Sequence, residues 1–151
     1  ESAPARVVVV SSAAHYQPSG IDFAAVRRPT QSRTGYMEYG VSKLANVLHA
    51  QELARRLAGS GVTTYSLHPG VIASDVWRRV PWPIRSLIKL RMSSVEQGAR
   101  TSLYCATDPE LGDQSGLYYQ DCRPRAAAAT ATVQLGRELW ARSEDWVGPR
   151  A

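Results

Sequence analysis

A tyrosine and a lysine four positions apart are the side chains of this 151-residue chain whose types and spacing point most directly to chemistry. In Tyr39-Gly40-Val41-Ser42-Lys43, a helix would put phenol and ammonium on one face, one turn apart. A positive charge beside a phenol favours the phenolate, so such a pair can deliver and take back a proton. The chain has two lysines, Lys43 and Lys89, and seven tyrosines, and the spacing by itself is a weak signal. Its surroundings strengthen it. Ser12 directly follows a β-branched run, at the edge where open parallel sheets bind ligands, and a hydroxyl there can hold a carbonyl oxygen beside the phenol. Pro69-Gly70-Val71-Ile72 follows a second β-rich run and offers a rigid turn with free backbone groups at the same edge. The plain structural alternatives are a turn or cap role for Ser12 and a surface pair for Tyr39 and Lys43.

These residues need a parallel sheet to position them. Arg6-Val7-Val8-Val9-Val10 is β-branched without polar alternation, the pattern of a strand covered on both faces, and it stops at Ser11-Ser12. Pro18, Gly20, Pro29 and Gly35 mark 15–35 as a long connection with a short helical turn at 23–26. Connections of this length usually carry function. From 36 to 58 there is no proline, and Val41, Leu44, Val47, Leu48, Leu53 and Leu57 spread around the circumference of a long, mostly buried helix that Gly59 and Gly61 stop. Residues 62–67 form the second strand, which makes a parallel crossover. Ser94-Val95-Glu96-Gln97 is a capping box that opens a helix to about Thr107. Residues 116–120 read as a last short strand and 126–146 as a terminal helix carrying Val133, Leu135, Leu139 and Trp140. The sum is a single α/β domain over 1–151, with about three strands and flanking helices. Between Asp75 and Glu96 no acidic residue occurs, and in 76–92 apolar Trp77, Trp82 and Leu87 alternate with Arg78, Arg85 and Lys89.

Composition removes several other classes. At 44% hydrophobic and 21% charged, the chain is neither disordered nor collagenous. Cys105 and Cys122 cannot make a disulfide framework and the three histidines show no zinc spacing, so a reducing compartment and a metal-free fold are expected. No apolar run approaches the roughly 20 residues that span a bilayer, and the valine run near the N-terminus is too short for a signal peptide. The net charge of +5 comes from arginines scattered from Arg6 to Arg150, which describes a solvated surface and no nucleic-acid stripe. A hydrolase built from Ser12, His68 and Asp75 lacks a nucleophile-elbow sequence around the serine.

Three passages together are specific: Val9-Val10-Ser11-Ser12-Ala13-Ala14-His15, then Tyr39 to Lys43 continuing as Leu44-Ala45-Asn46-Val47-Leu48, then His68-Pro69-Gly70. They resemble the short-chain dehydrogenase/reductases, within them the retinol dehydrogenase-like group, over essentially the whole chain. The resemblance implies the C-terminal half of a Rossmann-type doubly wound parallel sheet and hydride transfer between a nicotinamide dinucleotide and an apolar carbonyl or alcohol, retinoid-like or another lipid aldehyde or ketone. It implies Tyr39 as acid/base, Lys43 as its charged partner and ribose ligand, and Ser12, in preference to Ser11, as the group that orients the substrate oxygen. Pro69, Gly70 and Ile72 would then line the nicotinamide carboxamide. NADP is the implied cofactor, with NAD as the alternative. Residues 76–92 fall where the family has its substrate lid, and their basic, apolar character also suits a membrane surface. Intracellular, endoplasmic-reticulum membrane association and a homo-oligomer built on the long and terminal helices are implied in the same way.

The chain also departs from the family pattern. A dinucleotide fold places a glycine-rich turn after its first strand, whereas Gly59-Ser60-Gly61 precedes a strand and has Thr64 where a third glycine belongs. The sole asparagine, Asn46, sits in the motif helix and not in the helix that supplies the family's relay asparagine. The expectation is therefore a truncated oxidoreductase, inactive alone, with the acid/base side present and the dinucleotide side missing. The alternative is a non-catalytic remnant serving as an interaction module. Either way the first strand should present a bare edge.

Overall fold

The computed structural model describes residues 3–30, 32–70 and 95–148. The expected lid at 76–92, together with Ile72, Asp75 and Ser94, lies outside the described residues. Strand β1 (Ala5–Val10) leads through a 3-10 turn (Ala13–Tyr16) and the long connection to helix α1 (Tyr36–Arg56), which returns the chain to strand β2 (Val62–His68). The two strands pair in parallel from Ala5↔Val62 to Val10↔Leu67. Helix α2 (Val95–Thr107) and a 3-10 turn (Pro109–Leu111) precede strand β3 (Leu117–Gln120), which lies parallel to β2 in the register Tyr65↔Leu117 to His68↔Gln120. Strand β4 (Arg123–Arg125) pairs antiparallel with β3, and helix α3 (Val133–Val147) follows. The sheet order is β1-β2-β3-β4. This is the expected α/β fold with a mostly parallel sheet.

Alternation along the strands divides the core. Tyr65, Leu67 and Tyr119 point to one face and pack with Cys105 of α2 and with Leu111. Thr64, Ser66 and Tyr118 take the other face, against α1, whose Leu44, Val47, Leu48 and Ala50 are fully buried. Small polar side chains suit that face because they let the helix approach, provided their hydrogen bonds are met. Thr64 Oγ1 meets this condition by donating to the Ala50 carbonyl at 2.6 Å. Gly116 opens β3 with φ +78°, and a Cβ there would stand 3.1 Å from Ala54 Cβ, so both backbone conformation and the nearness of α1 call for glycine.

Three expectations are corrected. First, there are four strands among the described residues, not three. Asp121 and Cys122, with φ of 53° and 55°, make a two-residue turn between β3 and β4 of the kind that favours asparagine and glycine. The Asp-Cys pair carries no such signal, and Pro124 reads as a strand breaker, which an edge strand tolerates. Second, the β1 valines are less buried than their run suggests: α1 and α2 contact the strand from the two faces, yet among the described residues it is the expected bare edge, Ala5 to Val9 are half-buried and Val10 is 47% exposed. Third, the terminal helix begins at Val133, not at 126. Thr132 caps it by accepting from the Leu135 N–H at 3.2 Å. The alanine-rich stretch before it is held instead by Tyr16, His15 and Pro18, whose bonds to Ala126, Ala128 and Thr130 override its helix propensity.

Helix α3 packs along α1, and a buried carboxylate organises the contact. Glu52, 3% exposed, accepts from Arg55 Nε at 2.8 Å and Nη2 at 2.6 Å, and from Arg56 Nε at 2.7 Å. The Arg56 guanidinium also lies 4.3 Å from the Trp140 ring centroid, and His49 stacks on that ring at 5.5 Å. The Arg55 hydrogen bonds foremost hold the Glu52 carboxyl at a pKa of about 2, below its ordinary 4.5. A depressed carboxylate stabilises the fold fully above its unfolded pKa and loses that contribution as pH falls toward the folded value. Glu52→Gln should therefore lower stability by about 2 kcal/mol at pH 7, and its deficit relative to wild type should shrink between pH 4.5 and pH 2. Urea unfolding at pH 7 and at pH 3 measures both effects, and an unchanged deficit would show that the carboxylate charge is not the stabilising element.

Candidate active site

The candidate site lies at the carboxyl ends of β1 and β2, where a parallel sheet leaves strand-end backbone groups open to a ligand. Pairing runs one residue past β1, since the Ser11 N–H donates to the Leu67 carbonyl at 2.7 Å. Ser11 is buried and its hydroxyl donates to the Lys43 carbonyl at 2.7 Å, which ties the strand end to α1 and engages the Ser11 proton. Ser12 is half-buried, and its Oγ accepts from the Ala14 N–H at 3.2 Å as the cap of the Ala13–Tyr16 turn. A hydroxyl has one donor and two acceptor positions. The cap takes one acceptor position of Ser12 and leaves its proton.

Tyr39 and Lys43 stand one turn apart on α1, with Lys43 Nζ 5.4 Å from the Tyr39 ring centroid. Lys43 Nζ also donates to the Val10 carbonyl at 3.5 Å, and Asn46 Nδ2 donates to the same oxygen at 3.0 Å. The helix is well started: Glu38 in its first turn accepts from Ser32 N–H at 3.1 Å and complements the positive end of the helix dipole. Tyr39 is 45% exposed and lines a cleft of about 720 Å³ between α1 and the 22–30 connection, with Val26, Pro29, Met37 and Val41. Ser12, Lys43, Pro69 and Gly70 do not line that cleft. A second groove of about 530 Å³ runs between α1 and α3, where Asn46, His49, Leu139 and Trp140 line it.

Pro69 and Gly70 follow β2, half-buried. Gly70 has φ +89° and nothing within 4 Å of the place a Cβ would take, so its backbone is open to close approach. The structure thus sets Lys43 between Tyr39 and the end of β1, and places Ser12 and Pro69-Gly70 at the ends of neighbouring paired strands. Among the described residues no hydrogen bond joins Ser12 to Tyr39 or to His68, so the hydrolase grouping finds no geometric support.

Two residues at this edge carry contacts to which the sequence reading assigned no role. Asn46 lies three positions after Lys43, on the same helix face, a spacing that was legible. His15 is fully buried; its Nδ1 meets the nearby Ser12 carbonyl, but its Nε2 partner Ala128 comes from the far end of the chain, which no local signal announces. Burial pushes the His15 and His68 imidazoles below their ordinary range, and it pushes the Tyr16 and Tyr118 phenols up. These four side chains are therefore neutral at pH 7.

No family model matches the chain. Human retinol dehydrogenase 11 is 42% identical over 154 residues, covering 98% of this chain and 47% of that protein. Bovine dehydrogenase/reductase SDR family member 13 is 39% identical over 157 residues, covering 97% of this chain and 41% of that protein. Among solved structures, an uncharacterised protein from Mycobacterium paratuberculosis superposes with a TM-score of 0.64 at 26% identity, over 93% of this chain and 49% of that one. The chain spans about half the length of the curated relatives it matches. With the matched sequence running through the strands, the Tyr39–Lys43 helix and the β2 edge alike, the chain is similar over nearly its whole length to the short-chain dehydrogenase/reductases of the retinol dehydrogenase group.

Proposed function

We propose that this chain carries the acid/base side of an oxidoreductase that interconverts apolar alcohols and carbonyls, with Tyr39, Lys43 and Ser12 as its catalytic residues. In the reducing direction Tyr39 Oη gives its proton to the substrate oxygen, and in the oxidising direction it takes the carbinol proton. The Ser12 hydroxyl, capped through its oxygen, donates its remaining proton to the same substrate oxygen. The Lys43 ammonium stabilises negative charge developing on the phenol oxygen. The observation that carries this reading is the placement of Tyr39 and Lys43 on one face of α1 with Lys43 Nζ on the carbonyl that ends β1, two residues before Ser12.

A nicotinamide dinucleotide supplies the hydride donor or acceptor when bound. The open Gly70 backbone and the half-buried Lys43 suit its nicotinamide and ribose end, with Pro69, Gly70 and Ile72 along the carboxamide and Tyr39 and Lys43 at the ribose. Among the described residues no glycine-rich turn suits the diphosphate, because Gly59-Ser60-Gly61 lies at the amino end of β2, at the opposite end of the strands. NADP in preference to NAD, a retinoid-like or other lipid substrate, membrane-surface contact through 76–92, association with the endoplasmic reticulum and homo-oligomer formation all rest on the resemblance to the retinol dehydrogenases. No helix among the described residues is long and apolar enough to cross a membrane.

A second reading, a non-catalytic interaction module, is favoured by one observation: β1 stands at the sheet edge with Val7, Val8 and Val9 only half-buried. Titration with NADPH, followed by tryptophan fluorescence, separates the two. A saturable response supports the oxidoreductase, whereas a flat trace together with no retinal reduction after joining to a dinucleotide-binding half supports the module. The 151 residues alone are expected to give no steady-state reduction of retinal with NADPH, since hydride transfer needs an oriented dinucleotide. Turnover that Tyr39→Phe abolishes would refute that expectation. Joined to the dinucleotide-binding half of a retinol dehydrogenase, the chain should reduce retinal, and Tyr39→Phe should then lower kcat by about 10²- to 10⁴-fold with the circular dichroism spectrum unchanged. Rates like those of the parent would remove Tyr39 from the mechanism.

A further inference from the structure

His15 is unusual in this chain because both of its ring nitrogens are engaged, and with partners 116 positions apart in sequence. Nδ1 lies 2.8 Å from the Ser12 carbonyl oxygen, an acceptor, so Nδ1 carries the proton. Nε2 lies 3.1 Å from the Ala128 backbone N–H, a donor, so Nε2 is bare. The ring is fully buried between Tyr16, at 3.9 Å between centroids, and Tyr118 of β3, at 4.5 Å. Only the neutral ring protonated at Nδ1 satisfies both partners.

The surroundings of Ser12 show what that bracket holds. The Ser12 carbonyl accepts twice from His15, from its ring and from its backbone N–H at 3.1 Å, while Ser12 Oγ accepts from the Ala14 N–H. The Ala13–Tyr16 turn thus fixes the peptide plane after Ser12 and leaves the hydroxyl proton as the group of that residue available to a ligand. On the other side, Tyr16 Oη donates to the Ala126 carbonyl at 2.6 Å and Thr130 Oγ1 donates to the Pro18 carbonyl at 3.4 Å. Positions 126, 128 and 130 are therefore tied in alternation to the segment that follows Ser12, with His15 as the middle tie.

We propose that His15 is a positioning residue for Ser12: its neutral ring clamps the Ser12 backbone to the segment between β4 and α3 and so sets the direction of the Ser12 hydroxyl. This rests on the reading of Ser12 as the group that holds the substrate oxygen. A satisfied core histidine elsewhere in the fold would stabilise the chain without acting on Ser12, so the two roles separate by which variant restores the Ser12 environment. Asparagine places an amide nitrogen where Nδ1 stands, and glutamine places its amide oxygen where Nε2 stands. His15→Asn therefore retains the tie to Ser12 and loses Ala128, and His15→Gln does the reverse.

Nuclear magnetic resonance of the 151-residue chain tests this without turnover. In the wild type, His15 should show ring nitrogen shifts of the tautomer protonated at Nδ1, and the Ala14 and Ala128 amides should be protected from exchange. In His15→Gln, exchange at Ala14 should quicken about tenfold, the loss expected of one hydrogen bond, and the Ser12 Cβ resonance should move. In His15→Asn both should stay as in the wild type, while exchange at Ala128 quickens. The opposite tautomer, or an Ala14 amide and Ser12 Cβ unmoved in His15→Gln, would overturn the proposal even if His15→Ala fails to fold. The catalytic reading of Ser12 stands or falls separately, on Ser12→Ala in the retinal assay of the joined protein.

Discussion

Three hydrogen bonds join the carboxyl end of β1 to one face of α1, and every other feature of the candidate site is placed relative to that junction. Ser11 Oγ donates to the Lys43 carbonyl, while Lys43 Nζ and Asn46 Nδ2 converge on the Val10 carbonyl. A strand that ends its ladder exposes a carbonyl that must find a partner, and α1 supplies it from the turn that also carries the candidate acid/base pair. The satisfaction of the strand end and the placement of Lys43 are one arrangement. Loss of it would leave a buried serine hydroxyl without its acceptor and free the helix to slide relative to Ser12.

The rest of the fold keeps α1 at that distance from the sheet. Below it, Thr64 is pinned to the Ala50 carbonyl, and Gly116 lets β3 begin against Ala54. Above it, α3 lies along the helix around Glu52, Arg56 and Trp140. Buried polar groups that are fully paired make such contacts specific. Three buried atoms lack a hydrogen-bond partner among the described residues: Ser66 Oγ, His68 Nδ1 and Tyr118 Oη. All three sit on the α1-facing side of β2 and β3, where the site is built. Polar groups left unpaired are costly elsewhere in a core, and they are retained most readily beside a functional site.

The elements that were legible in the sequence are those whose signals are local. The valine run, the proline-free stretch from 36 to 58 and the β-rich run at 62–67 became β1, α1 and β2 within a residue or two. The elements that were not legible depend on partners distant in sequence. Residues 126–132 have helix-forming alanines and yet form a loop with a turn at 129–130, because Tyr16, His15 and Pro18 bond to Ala126, Ala128 and Thr130 from more than a hundred positions away. Strand β4 was missed because Asp121 and Cys122 adopt positive φ without the residues that usually announce it. The valines of β1 read as a strand covered on both faces, and helices do contact it from both, but as the edge among the described residues it keeps its side chains only half-buried.

The site divides along the same line. Helical periodicity alone put Tyr39 and Lys43 on one face, since four residues make nearly one turn whatever surrounds them, and the placement of Ser12 and Pro69-Gly70 at strand ends followed from where the β-branched runs stop. Which of the adjacent serines retains a free proton was settled by packing, because Ser11 meets the Lys43 carbonyl across 32 positions of chain. Packing alone also gave His15 its two partners, one three residues away and one 113, and made the ring a clamp. The covalent chain determines the order and local shape of its elements. Only the folded chain decides which carbonyl meets which donor, because that pairing is a property of surfaces that sequence neighbours do not share.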